Sequence, residues 1–432
     1  MGYRTSGPGG VTPLARFLLR LLGPHPHGLE GVTWQTALPV LEARGLGSLA
    51  VAVDAELGGI LPPHIREALL PAYRLGGLRT TLLMEMAQRT VGELARVGVP
   101  SLLVKGAALL AQGQYPTPAA RPMSDVDLLI PPECAEVAVA TLAAAGYIPW
   151  SPWEPARKDW LDSVTLHAPG SSSHLPLVLD LHWRLSFSNL RFGPGQVDPP
   201  LLHVQREVGS EGGTRLIEGG LALEALPVPP AAPHLVLLLE HVLKHLRYRT
   251  HLPGLADAAR VAHLVESWEA VVELAGRRHW SGGIGLLLEL LSREAQVVVP
   301  SWVLAGLTPS GIWLGPARRS LHANSMTLRE RPVEGRVSGL LLRGSLVGSP
   351  FRALTDLHRV VWPSVAWLRA RYPAAVGRRA GRRLRYLLDV GRWIWGRGAS
   401  PLSPNQDGGE SPPGVTPPDS GRRDVAQGRS SR

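Results

Sequence analysis

Residues 102–130 read LLVKGAALLAQGQYPTPAARPMSDVDLLI, and the order of residue types in this stretch sets the organisation of the chain. Leu102–Val104 is a short apolar run, broken at Lys105-Gly106, and the segment from Ala107 to Gln112 has helix-forming composition. A proline-bearing loop leads to Arg121, and Ser124-Asp125-Val126-Asp127 opens a second apolar run, Leu128–Ile130. The pattern predicts a strand, a glycine turn, a helix, a loop and a second strand. Side chains alternate across a strand, so Asp125 and Asp127, two apart, are expected on one face.

Two carboxylates so close repel, and each gains from a counter-charge. A hard divalent cation, Mg²⁺ or Mn²⁺, meets that need, since Mg²⁺ is typically held by one or two carboxylates together with substrate phosphates. An isolated D-x-D also marks a plain solvated strand start, so the surroundings decide. Gly106, between strand and helix, offers bare backbone at a helix N-terminus, where amides and dipole favour an anion. Lys105 could neutralise one phosphate oxygen and Arg121 could fork onto another. With Ser124 at the head of the aspartate pair, these make Lys105, Gly106, Ser124 and Arg121 the candidate nucleotide-binding residues, although no G-x-x-x-x-G-K-[ST] spacing is present.

Further on, Ser163–His167 and Leu177–Trp183 flank a Gly170–His174 loop and predict a hairpin. Alternation in the second arm puts Asp180 and His182 on one face, with Leu179, Leu181 and Trp183 on the other. A lone buried charge is expensive. Asp180 therefore needs a partner, and a metal shared with Asp125 and Asp127 supplies one. His182 is either an outer partner of that metal or a structural histidine.

The rest of the chain frames this region. At 432 residues it is long enough for two or three domains. Thr80–Val97 has its apolar residues near one helical face, Pro62-Pro63 opens an earlier helical segment, and Glu133–Ala145 is an alanine-rich helix stopped at Gly146. From Pro233 the pattern is helical: His234–Arg247, Leu255–Val265, Trp268–Ala275 and Ile284–Ala295. An arginine-rich stretch, Leu357–Trp395, carries Trp362, Trp367, Trp393 and Trp395 and is open to three readings: packing with solvated arginines, nucleic-acid contact or membrane-surface contact. Residues 400–432 are too polar to offset ordering entropy and are expected to be disordered.

One cysteine, Cys134, excludes an internal disulfide framework and a cysteine-built zinc site. Its place at the start of a helix would lower its pKa. The apolar patch Phe17–Leu22 is interrupted by Arg20 and lacks a small-residue cleavage site, so no secretory signal is expected. No window reaches the roughly 20 apolar residues of a membrane span. The chain is expected to be cytoplasmic. The formal charge of +10 suits a polyanionic partner and is also what an arginine-rich proteome gives. His241 and His245 are four apart, but Val242 stands where H-E-x-x-H needs glutamate, so no zinc site is expected; with Lys244 and Arg247 they either line a groove or form a solvated helix face, the second slightly preferred.

The motifs K-G-A-A-L-L (105–110), R-P-M-S-D-V-D-L-L-I (121–130) and L-D-L-H-W-R-L (179–185) resemble those of the uncharacterised nucleotidyltransferase family within the DNA polymerase β-like superfamily. Similar arrangements occur in nucleotidyltransferase components of toxin–antitoxin systems. The resemblance spans about residue 76 to near 300. It implies an α+β fold: a polymerase β-like core, meaning a mixed sheet with flanking helices, followed by a helical region. The division it implies is an N-terminal helical region at 1–75, a catalytic domain at 76–230, a helical region at 231–398 and a disordered tail at 399–432. Lys105-Gly106 stands where the superfamily has Gly-Gly or Gly-Ser. By position, Asp125, Asp127 and Asp180 are the implied catalytic and metal-binding residues, Gly106 bounds the triphosphate site, and Asp257 occupies a recurring position of the helical region. The implied activity is transfer of NMP from an NTP to a hydroxyl on a protein, a small molecule or an RNA. The alternative is a silent nucleotide-binding or antitoxin-type module acting through a protein or nucleic-acid partner.

Overall fold

The computed structural model describes residues 34–307, except 44, 57–58, 60, 152, 154–161, 186–225, 246–251 and 278–280, together with 368 and 383–389. Two short helices, α1 (Trp34–Ala43) and α2 (Gly47–Glu56), precede α3 (Pro63–Arg96). Sequence spacing separates a segment beginning at Pro63 from one beginning at Thr80, yet α3 is one helix of 34 residues that runs across residues 75 and 76. The pattern looks broken because of Gly76-Gly77. Glycine inside a helix costs about 1 kcal/mol relative to alanine. Here the two glycines let another segment lie on the helix: a Cβ at Gly77 would sit 2.7 Å from the Ala119 Cβ, and one at Gly76 would sit 2.9 Å from the Pro122 Cβ.

After α3 the chain turns at Gly98 (φ 73°) into β1 (Leu102–Val104). It then passes into α4 (Lys105–Ala111), a one-turn helix at Pro118–Ala120, β2 (Val126–Leu129), a second such turn at Pro132–Cys134, and α5 (Ala135–Ala144). Strands β3 (Ile148–Pro149), β4 (Ser163–His167) and β5 (Val178–His182) complete one five-stranded sheet in the order β1-β2-β5-β4-β3. β2 runs parallel to β5, and the other neighbours are antiparallel, so the sheet is mixed as expected. The hairpin of β4 and β5 has the alternating burial expected of it, with Leu179 and Leu181 buried and Val178, Asp180 and His182 half-buried.

Helices follow at α6 (Ala231–His245), α7 (Leu252–Ala262), α8 (Trp268–Arg277), α9 (Ser281–Glu294) and α10 (Ser301–Leu307). The first four fall where apolar spacing put them. α10 was not expected, since its seven residues carry little periodicity. β2 divides its side chains between two apolar clusters: Val126 and Leu128 join the main core, and Leu129 joins Leu102, Val104, Leu185 and Leu237 of α6 in a smaller one. Asp127 shares the face of Leu129, because residues two apart in a strand lie on the same side. Helix α6 thus packs on the sheet face that carries the aspartate.

Among the described residues no helix is long and apolar enough to cross a membrane. Of the arginine-rich stretch, only Leu368 and the helical residues 383–389 are described, and within them Tyr386 is buried while Leu384, Leu387 and Leu388 are exposed. The remainder of that stretch, the tail, the Phe17–Leu22 patch, and the side chains of Lys244, His245 and Arg247 lie outside the described residues.

Candidate active site

Asp127 and Asp180 are register partners on the adjacent parallel strands β2 and β5. Partners in parallel strands place their side chains on the same face, so the two carboxylates are neighbours although 53 positions apart in sequence. His182, two residues on, lies on that face too, and its Nε2 is 2.9 Å from the Asp127 Oδ1. One donor atom from each of Asp127, Asp180 and His182 falls within 4.8 Å of the others, the spacing of a group that could hold a metal ion. Asp127 is buried and its two companions are half-buried.

Asp125 stands one residue ahead of β2, not within it, and is not part of this group. Its Oδ1 accepts a hydrogen bond from the Ser124 Oγ at 2.7 Å. Burial pushes its carboxyl above the ordinary range, and the Asp127 charge pushes it the same way. For Asp127 burial acts likewise, but the Lys105 ammonium and the His182 ring outweigh it and hold the carboxyl well below the ordinary range. Asp180 has a local partner: the Thr165 Oγ1 donates to its Oδ1 at 2.6 Å, across the β4–β5 pair where the two residues are in register. The sequence could have supplied Thr165 had the register of the hairpin been counted through from its loop.

The nucleotide-binding candidates are placed differently from the sequence expectation. Lys105 does not point its ammonium at open space; its Nζ is paired with the Asp127 Oδ1. Burial would lower its pKa, but the Asp127 charge prevails and raises it. The expected glycine turn is absent. β1 runs directly into α4, and the left-handed backbone conformation is taken by Lys105 (φ 55°), not by Gly106. Gly106 is small for a different reason. A Cβ there would meet the Met123 Sδ at 3.1 Å and the Arg121 Nη2 at 3.3 Å, so its missing side chain makes room for protein groups.

The Arg121 fork is also committed. Its Nε and Nη2 donate to Asp257 Oδ1 and Oδ2 of α7 at 2.8 and 2.7 Å, and its Nη1 donates to the Pro122 carbonyl at 2.9 Å. The Tyr115 hydroxyl donates to the Asp257 Oδ1 at 2.6 Å, and the Arg260 guanidinium lies 4.6 Å from the Tyr115 ring centroid. Arg121 is therefore a strut between the β2 approach and α7. Bidentate pairing holds its planar fork, and its protonation is reinforced: burial opposes the charge, but Asp257 more than compensates. Asp257, singled out only by resemblance, proves to be the strut's other half. Helix α3 steadies the same loop, since the Thr80 Oγ1 accepts the Met123 N–H at 3.0 Å and the Arg79 Nη2 reaches the Ser124 carbonyl at 2.8 Å.

A cleft of about 390 Å³ opens beside these residues. Lys105, Gly106, Asp125 and Asp127 line one side, and Leu238 and His241 of α6 line another. His241 thus faces a groove between the helices and the sheet, not the solvated face that its sequence slightly favoured. Asp180 and His182 are not part of the lining. His234 of α6 is fully buried near the Lys105 backbone; burial pushes its pKa down to about 4. Cys134 departs from expectation. It closes the one-turn helix before α5, and burial, aided by Glu133, pushes its thiol up rather than down.

The donor chemistry fits a divalent cation. Two carboxylates and an imidazole converge, Asp127 is held ionised, and its Oδ2 carries no hydrogen bond among the described residues. Carboxylate oxygens suit Mg²⁺ and Mn²⁺, while an imidazole widens the choice toward later transition metals. The nearest obstacle is internal: Lys105 already neutralises Asp127. No curated protein and no solved structure matches the chain. A family model described as "Uncharacterised nucleotidyltransferase" matches residues 30–294, starting upstream of the motifs and taking in α1 through α9. With well over half of its length matched and the aspartates set side by side on its sheet, the chain belongs to the uncharacterised nucleotidyltransferase family.

Proposed function

We propose that this chain is a metal-dependent nucleotidyltransferase with a polymerase β-like core, moving NMP from an NTP onto a hydroxyl acceptor. One observation carries the reading: in a chain of this family, Asp127 and Asp180 face each other in register across parallel strands, with His182 beside them. In the transfer, the acceptor oxygen bonds to the α-phosphorus while the bond to the bridging oxygen breaks and pyrophosphate leaves. A Mg²⁺ or Mn²⁺ ion held by Asp127, Asp180 and His182 would offset phosphate charge and ease deprotonation of the acceptor hydroxyl.

The protein's own groups have distinct parts in this proposal. Asp127, whose carboxyl Lys105 and His182 hold well below the ordinary range, is the anchor. Asp180, fixed by Thr165, orients the acceptor side and takes up its proton. Asp125, whose carboxyl is raised by burial and by Asp127, lines the cleft beside them, where an added cation favours its ionised form. The cleft between sheet and α6 receives the nucleotide, with Ser124 and Gly106 at its margin. The test is incubation with each α-labelled NTP, Mg²⁺ or Mn²⁺ and a cell extract. Label should appear with the native protein and vanish with Asp127→Asn or Asp180→Asn.

A second reading, a nucleotide-binding module without turnover, is favoured by one contact: the Lys105 ammonium on Asp127 fills part of the carboxylate's coordination capacity. Metal-dependent NTP binding with no labelled product under broad acceptor screening supports that reading over the first.

A further inference from the structure

Lys105 poses a question that the proposed chemistry does not absorb. It is one of only two non-glycine residues described with a positive φ, and it sits directly before a glycine. Left-handed backbone is cheap for glycine and strained for a residue bearing Cβ. Strain of this kind points to a side chain kept for what it does. Here the strained residue delivers its ammonium to the Asp127 Oδ1, the same oxygen that accepts His182. The pair is enclosed, with most of both side chains out of solvent. The other basic group of this wall, Arg121, is tied to Asp257 and is not a rival for the aspartate.

We propose that Lys105 is a tethered stand-in cation: it compensates Asp127 when no divalent ion is bound, and it lowers the affinity of the Asp127–Asp180–His182 group for free metal. This rests on the nucleotidyltransferase reading and deepens it. A metal and an ammonium cannot both claim the Asp127 Oδ1 at full strength, because each brings positive charge to the same enclosed oxygen. Lys105 therefore competes with a metal at Oδ1, and a metal entering through Oδ2 still meets the repulsion of its charge. Lys105 lines the same cleft as Asp125 and Gly106, so an ammonium released from Asp127 remains beside the proposed triphosphate position. The consequence is order: metal enters best together with a nucleotide, whose phosphates give Lys105 an alternative partner.

The decisive experiment measures Mn²⁺ binding, without nucleotide, by electron paramagnetic resonance on the full chain. It compares native protein with Lys105→Met, and with Lys105→Gly as a second variant whose backbone suits the positive φ. Circular dichroism confirms that each is folded. The expected result is Mn²⁺ affinity at least tenfold tighter in the lysine variants than in the native protein, with the gain abolished when Asp127→Asn is added. Equal or weaker binding in the lysine variants, with native binding intact and sensitive to Asp127→Asn, overturns the role of Lys105 and leaves the metal site standing. Absence of binding in the native protein and both lysine variants, or binding indifferent to Asp127→Asn, overturns the metal site and the Lys105 role together.

Discussion

At the scale of single residues, three buried charge arrangements carry the account, and each has a measurable consequence. Breaking a buried ion pair by removing one partner typically costs about 3–5 kcal/mol, because the other charge is left unsatisfied. Asp257→Ala strands Arg121 in this way and also removes the acceptor for Tyr115. Its unfolding midpoint in urea should fall accordingly, while the double variant Arg121→Leu/Asp257→Leu should recover much of the loss. A double variant no more stable than Asp257→Ala would mean that the strut is not a coupled pair. His234 makes a prediction in pH. Its folded value of about 4 lies below the ordinary 6.5, so between these the unfolded chain binds the extra proton. Stability from this group is full above pH 6.5 and is lost as pH falls toward 4, by about 3 kcal/mol in total. His234→Leu should flatten that part of the stability–pH curve; an unchanged slope would show that His234 is not its source. The Asp127 contribution falls in a different window: its depressed carboxyl stabilises the fold above the unfolded value near 3.8 and loses that effect only in stronger acid.

At the scale of elements, the site depends on how closely α3 and the Pro118–Pro122 segment approach. Gly76 and Gly77 are where that approach is made. Alanine at 77 would gain helix propensity of about 1 kcal/mol, but its Cβ would overlap Ala119, including backbone, and overpacking of this kind costs about 1–3 kcal/mol. Gly77→Ala is expected to be net destabilising, whereas Gly92→Ala in the same helix, with nothing within 4 Å of its Cβ, is expected to stabilise. Thermal melts of the two variants decide this. The elements also show what was legible in advance. The hairpin, both aspartate-bearing strands and four of the helices follow from alternation and from 3.6-residue spacing. Those signals are local, and they split α3 in two because its glycines serve neighbours more than 40 residues away, Ala119 and Pro122. The ion pairs of Lys105 and Arg121 were not legible for a related reason. A basic residue near a glycine and two aspartates invites a phosphate, but nothing in its spacing reveals that Asp127 or Asp257 reaches it first. Asp180 was legible because an acid amid Leu179 and Leu181 needs a partner; that Thr165 supplies it required the register.

For the molecule as a whole, the sheet supplies the acidic group and the helices α6 and α7 close the cleft against it, with the Arg121–Asp257 pair joining the two parts. Membership in the uncharacterised nucleotidyltransferase family and the side-by-side placement of Asp127 and Asp180 converge on nucleotidyl transfer as the activity to test. The basic stretch beyond Leu357 adds an independent question. If it contacts nucleic acid, retention of RNA or DNA should weaken steeply with salt and disappear on truncation before Leu357; retention unaffected by that truncation assigns the contact elsewhere. The account's central claim is tested most directly by the labelling experiment on purified native protein, Asp127→Asn and Asp180→Asn, each with α-labelled NTP, Mg²⁺ or Mn²⁺ and extract. The account predicts metal-dependent transfer of label by the native protein and its loss, by a hundredfold or more, in both folded variants; undiminished transfer by either variant would contradict it.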